Sequence, residues 1–181
     1  VHRDLKPSNV MLTGAGVFAT IIGVRAERDN FPTLTIGLVS AAYYLGFLVG
    51  SRVALDALHW VGHIRVYAAL ASVLSAVILA IGMYVEPWAW IALRLVSGAC
   101  LAGQYVVAES WLNQLVTNAN RARILSLYSL VTVVAYGIGQ LGVIVFDPEQ
   151  LTAYGIAAIL ISLAVAPVAL SEDAAPPMVD E

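Results

Sequence analysis

Charged residues are scarce in this 181-residue sequence: they make up 12% of the chain, against about 25% in an average soluble domain. So few charges cannot form the polar surface that a soluble core of this size needs. The formal net charge of −3 argues against the strongly basic surface of a nucleic-acid-binding protein. The single cysteine, Cys100, excludes an intramolecular disulfide, and we expect it to be a small packing residue.

Metal-ligating residues are scarce as well. His59 and His63 are four residues apart, a spacing at which one helix can hold a metal ion, but no third ligand is within reach. We therefore expect neither a metal site nor a cofactor.

Hydrophobic residues, by contrast, make up 60% of the chain and form six long apolar stretches. An uncharged run of about 18 or more residues can cross the ~30 Å hydrocarbon core of a bilayer as a helix. Four stretches meet that criterion, the fourth in chain order is long enough but contains Arg94, and the first is short, at fifteen residues. The sequence predicts an all-α membrane protein, a bundle of six transmembrane helices near residues 10–24, 34–51, 66–85, 87–108, 124–146 and 151–170.

The short connections between these stretches differ in charge. If the N-terminus is cytoplasmic, the segments on that side hold six Lys or Arg residues, whereas the outer loops hold only Arg25 and Arg28. An excess of Lys and Arg is typical of cytoplasmic loops. We expect a plasma membrane protein (inner membrane in a bacterium) with both termini in the cytoplasm; the reversed topology is the alternative. Residues 171–181 are acidic and contain two prolines, which predicts a disordered cytoplasmic tail or linker.

Small residues recur within the predicted spans. In a membrane they allow helix backbones to approach closely, and several together favour a tightly packed bundle. The candidates for helix packing are Gly46, Gly50, Gly98, Gly137, Gly139 and Gly142.

Arg94, in the outer half of the fourth stretch, is the main functional candidate. An arginine at bilayer depth costs from about 2.5 kcal/mol upward, so it normally faces a water-filled cavity or a partner. We expect Arg94 to line a substrate or proton pathway. The alternative is a structural arginine that bonds backbone carbonyls of the first helix or extends toward the membrane surface.

Glu109 lies at the other end of the same stretch, where the helix dipole disfavours negative charge. Arg65, Arg121 and Arg123 are predicted on the same side of the membrane. We expect one of them to form an ion-pair latch with Glu109 between the cytoplasmic loops. A solvated carboxylate without a partner is the alternative.

The connection between the second and third stretches resembles a known motif. Residues 46–65 look like the loop between helices two and three of the major facilitator superfamily. Gly62 matches the second glycine of that motif and Arg65 lies at its basic end, but His59 occupies the aspartate position. The family uses this motif as a cytoplasmic latch.

Two further segments carry the same resemblance. Arg94, followed four residues later by Gly98, is similar to the family's fourth-helix pattern, and residues 120–128 resemble its loop into the fifth helix. The drug/proton antiporter signature of the fifth helix is incomplete, because Gln140 stands where proline is expected. The order and spacing of these segments extend the resemblance over residues 12–170.

The resemblance implies the N-terminal half of a twelve-helix transporter, built from two three-helix repeats and not an enzyme. Such proteins move a small solute by alternating access along a path between two halves; proton coupling is left open. Helices one and four line that path in the family, which places Arg94 and Gln104 along it. One half alone is expected to lack a complete path without the C-terminal six-helix half.

Residues 1–11 resemble a different family, the serine/threonine protein kinases. Asp4, Lys6 and Asn9 match the catalytic-loop positions that orient the substrate hydroxyl, contact the transferred phosphate and bind a metal ion. The chain has no glycine-rich loop and no Asp-Phe-Gly motif to position ATP. We expect no kinase activity and a prefix joined by a chimeric or truncated reading frame. A kinase fragment and a non-transporting membrane scaffold are the alternatives to a transporter.

Overall fold

The computed structural model describes residues 5–169, and the side chains of residues 9–167 except residue 115. Asp4 of the kinase-like prefix and the predicted disordered tail lie outside the described residues. The described part is helical and contains no β-strand. Its helices are α1 (Leu5–Arg28), α2 (Thr33–Val61), α3 (His63–Met83), α4 (Pro87–Leu115), α5 (Arg121–Gln140), α6 (Gly142–Val145), α7 (Leu151–Leu163) and α8 (Val165–Ala169).

These segments form the predicted bundle of six units. Five are long and apolar enough to cross a membrane: α1 from Asn9 onward, α2, α3, most of α4, and α5 together with α6. The break between α5 and α6 is slight, because the Leu141 N–H still donates hydrogen bonds to the carbonyls of the preceding turn. The sixth unit, α7 with α8, is a shorter apolar helix with a turn at Ala164. The all-α membrane fold predicted from the sequence is confirmed.

Helix α1 is longer than the fifteen-residue apolar stretch predicted for the first span. It begins at Leu5 and has 24 residues. Pro7 lies in its first turn, where the missing N–H costs no intrahelical hydrogen bond. Met11 and Leu12 are both fully buried. The helix therefore passes without interruption through the end of the kinase-like string, and it packs against the bundle there.

The helix pairs show an internal two-fold relation. Helix α2 packs along α4 and α1 along α5, while α3 contacts α4, α1 contacts α7, and α3 contacts α7. Suppose that the first, second and third spans exchange places with the fourth, fifth and sixth. The α2–α4 pair then becomes the α1–α5 pair, the α3–α4 pair becomes the α1–α7 pair, and the α3–α7 pair is unchanged. Two three-helix repeats of opposite orientation produce this relation, as in transporter folds with inverted repeats.

Each of the pairs α2–α4 and α1–α5 contains a glycine at which the two helix backbones touch. A Cβ atom added to Gly46 of α2 would overlap the carbonyl oxygen of Leu95 in α4. A Cβ atom added to Gly139 of α5 would likewise overlap the carbonyl oxygen of Thr13 in α1. Both glycines thus lie where two backbones touch, which is the role that small residues have in membrane bundles.

A reciprocal contact accompanies each of these. A Cβ atom on Gly98 of α4 would overlap the carbonyl oxygen of Tyr43, and one on Gly16 of α1 would overlap that of Tyr136. Each tyrosine lies three residues before the close-contact glycine of its own helix. The two helix pairs therefore repeat the same local geometry residue by residue.

The remaining predicted packing glycines divide into two groups. Gly50 lies against the backbone of Ala99, and Gly142 lies against the side chain of Val17. A Cβ atom on Gly137 would meet no atom of another helix within 4 Å. The prediction that Gly137 packs against a neighbouring helix is therefore wrong.

The best-buried helices are α1, α3, α4 and α7, and the outer faces of α2 and α5 are apolar but exposed. Only 22% of the α2 span and 17% of the α5–α6 span are buried within the bundle. Leu48 on α2 is 58% exposed and Val133 on α5 is 70% exposed. Such a surface would be unfavourable in water, so these faces are suited to lipid or to another membrane helix.

Candidate functional site

A cavity of about 270 Å³ lies within the bundle, and side chains from six of the helices line it. Arg94 is the only charged residue among the described residues of its wall. Aromatic rings and small hydroxyl side chains form much of the rest, namely Phe18, Tyr43, Tyr44, Tyr136, Ser40 and Ser97. The wall thus combines aromatic rings, hydroxyl groups and the Gln140 amide with one cationic group.

Helix geometry explains why Arg94 faces this cavity. Helix α4 begins at Pro87, a residue favoured at the first helical position. Arg94 follows seven residues later, about 10 Å along the axis at 1.5 Å per residue. Ser97 and Leu101 also line the cavity and lie three and seven residues beyond Arg94, on the same helix face. The Ser97 hydroxyl is satisfied locally, since it donates to the Arg94 carbonyl at 2.9 Å.

The guanidinium of Arg94 is held by aromatic faces. Its Cζ atom lies 4.3 Å from the centroid of the Tyr43 ring and 5.3 Å from that of Phe18, within the ~6 Å range of cation–π contacts. The residue is only 8% exposed, and its Nε atom is buried with no hydrogen-bond partner among the described residues. Arg94 is therefore a buried cation with unused hydrogen-bonding capacity.

No acidic side chain of the described part neutralises this cation. The ion pairs between described residues all lie at one end of the bundle. Arg28 pairs with Asp147 at 3.1 Å and with Glu149 at 3.3 Å, and Arg25 donates to the Pro148 carbonyl at 3.2 Å. These contacts tie the α1–α2 connection to the α6–α7 connection and leave Arg94 without a carboxylate.

Gln104 lies on α4 ten residues after Arg94, about 15 Å further along the helix and about 80° away around its axis. It is fully buried, and neither its Nε2 nor its Oε1 atom has a hydrogen-bond partner among the described residues. It is not part of the cavity wall. The structure thus brings Arg94 to the cavity but not Gln104, contrary to the expectation that both line one space.

Gly62 is the single residue between α2 and α3. Its φ of +87° lies in a region that favours glycine, because a Cβ atom would clash with the backbone. Its N–H donates to the Leu58 carbonyl at 3.2 Å, and its own carbonyl accepts from the Val66 N–H at 3.2 Å. Gly62 therefore ends one helix and begins the next without a loop.

The predicted latch residues lie at this end of the bundle but do not pair with each other. Glu109 lies inside α4, six residues before its end, and is exposed, as are Arg65, Arg121 and Arg123. Within the described part of the chain, none of these arginines forms an ion pair with Glu109. Arg121 instead donates to Asn113 Oδ1 at 3.3 Å. The predicted ion pair is not formed in this structure.

His59 and His63 are the two histidines in the described part of the chain. Over the residues that the structure describes, no group of three His, Cys, Asp or Glu side chains could hold a metal ion. The His63 ring stacks on Trp111 with centroids 5.9 Å apart. Its Nε2 atom lies 3.0 Å from the Ser110 hydroxyl.

Sequence reasoning missed the aromatic residues of the site. Tyr43 and Tyr136 both line the cavity, from α2 and α5. The signal was present, because each tyrosine stands three residues before a close-contact glycine. The repeated Tyr-x-x-Gly spacing in the second and fifth stretches could have identified them.

The chain is similar to proteins named as transporters. The chain is 33% identical over 125 residues to an uncharacterized MFS-type transporter, YcaD, of Escherichia fergusonii. It is 31% identical over 125 residues to similarly named proteins of an Enterobacter species and of Escherichia coli. Each match covers 69% of this chain and 33% of the relative, so the matched segment spans one third of these transporters. No family model and no solved structure matches the chain.

Proposed function

We propose that this chain, which belongs over its matched residues to the major facilitator superfamily, is the N-terminal half of a secondary transporter for a small solute. The observation that carries the proposal is the cavity beside Arg94. A buried cation in a membrane bundle marks a substrate or ion pathway by default, and in such folds the solute site lies at a repeat interface near mid-membrane. The chain provides such a site between its two three-helix units.

Transport in this proposal proceeds by alternating access. Arg94 lines the path of the solute or of a coupling proton, and Tyr43 and Tyr136 line the same cavity from α2 and α5. Gln104, whose buried amide lies about three turns further along α4, joins the path once the bundle rocks against a partner half. Such rocking would open and close the cavity from the two sides of the membrane.

The exposed apolar faces of α2 and α5 suit this arrangement. We propose that they contact lipid and the C-terminal half, which completes the path. Gly62 and Arg65, together with Glu109, Arg121 and Arg123, lie at the end proposed as cytoplasmic and form the latch when the halves close there. Both chain termini lie in the cytoplasm in this topology, and the membrane is the plasma membrane, or the inner membrane in a bacterium.

A kinase role is not proposed. Residues 5–11 form the first turns of α1, so the Lys6 and Asn9 backbone is helical and continuous with a membrane span. A kinase catalytic loop needs a separate lobe that holds ATP.

Arg94 provides the direct test. In a full-length transporter that contains this half, reconstituted into liposomes and assayed with a panel of radiolabelled sugars, carboxylates, amino acids and drugs, Arg94→Ala is expected to lower uptake at least tenfold. Arg28→Ala, which removes an exposed arginine outside the cavity, is the matched control and should leave uptake unchanged. Unchanged uptake in Arg94→Ala would make Arg94 a packing residue and contradict the proposal.

The need for a second half is tested separately. Liposomes that contain the six-helix chain alone are expected to show no flux above protein-free liposomes. Solute flux through the chain alone would refute the claim that one half is insufficient. Normal assembly without any flux, with or without a C-terminal half, would favour a membrane scaffold.

A further inference from the structure

We infer that the solute bound beside Arg94 is a small organic monoanion, a carboxylate on a flat apolar or aromatic body. This inference rests on the proposed function, because it names the substrate class of the same cavity. It is carried by three observations: the unneutralised guanidinium, its buried Nε atom without a hydrogen-bond partner, and the aromatic rings around it.

The charge of the ligand follows from what surrounds Arg94. The residue is 8% exposed, and burying a cation is costly unless it is paired. The acidic residues of the described part lie in connections or near helix ends, as Asp56, Glu86 and Glu109 do, and none lines the cavity. An anionic solute would supply the counter-charge. Because the cavity wall has one cationic side chain, a solute with one negative charge would neutralise it.

The chemical type of the anion follows from the guanidinium. Its planar fork donates paired hydrogen bonds to a carboxylate, which a lysine ammonium cannot reproduce. Tyr43 and Phe18 lie within cation–π distance of Cζ, and the Nε atom has no partner among the described residues. The aromatic contacts engage the guanidinium as a cation, and Nε itself is buried. A carboxylate in the cavity would therefore pair with the two terminal Nη atoms.

The body of the ligand follows from the rest of the wall. Phe18, Tyr43 and Tyr136 present rings to the cavity, and Leu74 and Ile78 add aliphatic surface. Ser40, Ser97 and Gln140 add neutral polar groups that carry no charge to compete with Arg94 for the anion. The volume of about 270 Å³ is just below the ~300–1,000 Å³ of pockets for drug-sized ligands. A single ring that carries one carboxylate matches this size and can stack against aromatic side chains.

Three isosteric probes test the inference on the 181-residue chain, purified in detergent or nanodiscs: benzoate, neutral benzamide and cationic benzamidine. Binding is measured by isothermal titration calorimetry and by the rise in thermal unfolding temperature. We expect benzoate to bind at least tenfold more tightly than either of the other probes.

Variants of Arg94 connect this preference to the proposed site. Arg94→Gln should lower benzoate affinity at least tenfold, and Arg94→Lys should lower it less, because the charge is kept and the paired geometry is lost. Arg28→Gln is the matched control and should not change the affinity. If Arg94→Gln fails to fold, as judged by circular dichroism, the probe series on the unmodified chain decides alone.

Three results would each overturn the inference. The first is that benzamide or benzamidine binds as tightly as benzoate or more tightly, and the second is that benzoate does not bind at its solubility limit. The third is that a folded Arg94→Gln variant binds benzoate with unchanged affinity. The proposed function fails by a different result. If the full-length transporter carries no solute of any class, transport is refuted. If it carries a neutral or cationic solute through a path that needs Arg94, transport stands and only the anion assignment is lost.

Discussion

Adding one methyl group at Gly139 should destabilise the bundle, whereas the same change two residues earlier at Gly137 should not. A Cβ atom at Gly139 would overlap the carbonyl oxygen of Thr13 and lie 3.0 Å from Cα of Gly16. Both are backbone atoms of α1, so no side-chain rotation can relieve the clash. At Gly137 no atom of another helix lies within 4 Å of the added group.

The expected magnitudes follow from these contacts. Overpacking costs about 1–3 kcal/mol, and a clash with backbone belongs at the upper end of that range. Alanine gains up to about 1 kcal/mol over glycine inside a helix. We therefore expect Gly139→Ala to lower the free energy of unfolding by about 2 kcal/mol. Gly137→Ala should leave it unchanged or raise it by up to about 1 kcal/mol.

The chain contains its own reporter for this measurement. Cys100 is the only cysteine and is 4% exposed, so a fluorogenic maleimide should react with it only on unfolding. Thermal unfolding followed by this reaction, and SDS titration followed by circular dichroism, give the stability of each variant. Gly46→Ala, at the equivalent contact of the other helix pair, should lose as much stability as Gly139→Ala. Equal stability of Gly137→Ala and Gly139→Ala would refute the α1–α5 contact and the repeat geometry built on it.

Two further predictions concern the α2–α3 junction and the topology. Gly62→Ala should cost about 1–2 kcal/mol, because alanine is strained at positive φ, while Gly37→Ala, at an open helical position of α2, should cost nothing in the same SDS titration. The topology is tested in cells with single-cysteine variants that also carry Cys100→Ser. A membrane-impermeant maleimide should label Asn30→Cys, in an outer connection, but not Asn118→Cys, in a cytoplasmic one. The opposite pattern would mean that the N-terminus is outside.

The number of spans could be predicted from the sequence because a bilayer requires long apolar helices whose backbone groups are satisfied internally. The breaks at Leu141 and Ala164 could not, since hydropathy does not report which backbone hydrogen bonds are made. The extent of α1 was also underestimated. The predicted span was started at the first apolar residue, but the helix itself begins earlier, at Leu5, with turns that contain polar residues.

The candidate site was only partly predictable for a related reason. A charge such as Arg94 is conspicuous within an apolar run, but Tyr43 and Tyr136 look like ordinary apolar packing residues until the helix pairs are known. Gly137 was mistaken for a packing residue because two residues on a helix are about 200° apart around its axis. It therefore cannot face the same neighbour as Gly139. The ion pair predicted for Glu109 is not formed in this structure, because sequence predicts the membrane side of a residue and not its distance from others.

The two-fold relation between the repeats gives an independent reason to assign a function to Arg94. The same relation that makes Gly46 equivalent to Gly139 makes Tyr43 equivalent to Tyr136. The two repeats therefore each contribute a tyrosine to the cavity wall. Arg94 stands four residues before Gly98, which touches the α2 backbone. The equivalent glycine of α1 is Gly16, and the residue four before it is Leu12, which is fully buried. The repeat can thus fill this position with a leucine. The fold therefore does not require a cation at this position, which supports the proposal that Arg94 contacts a solute.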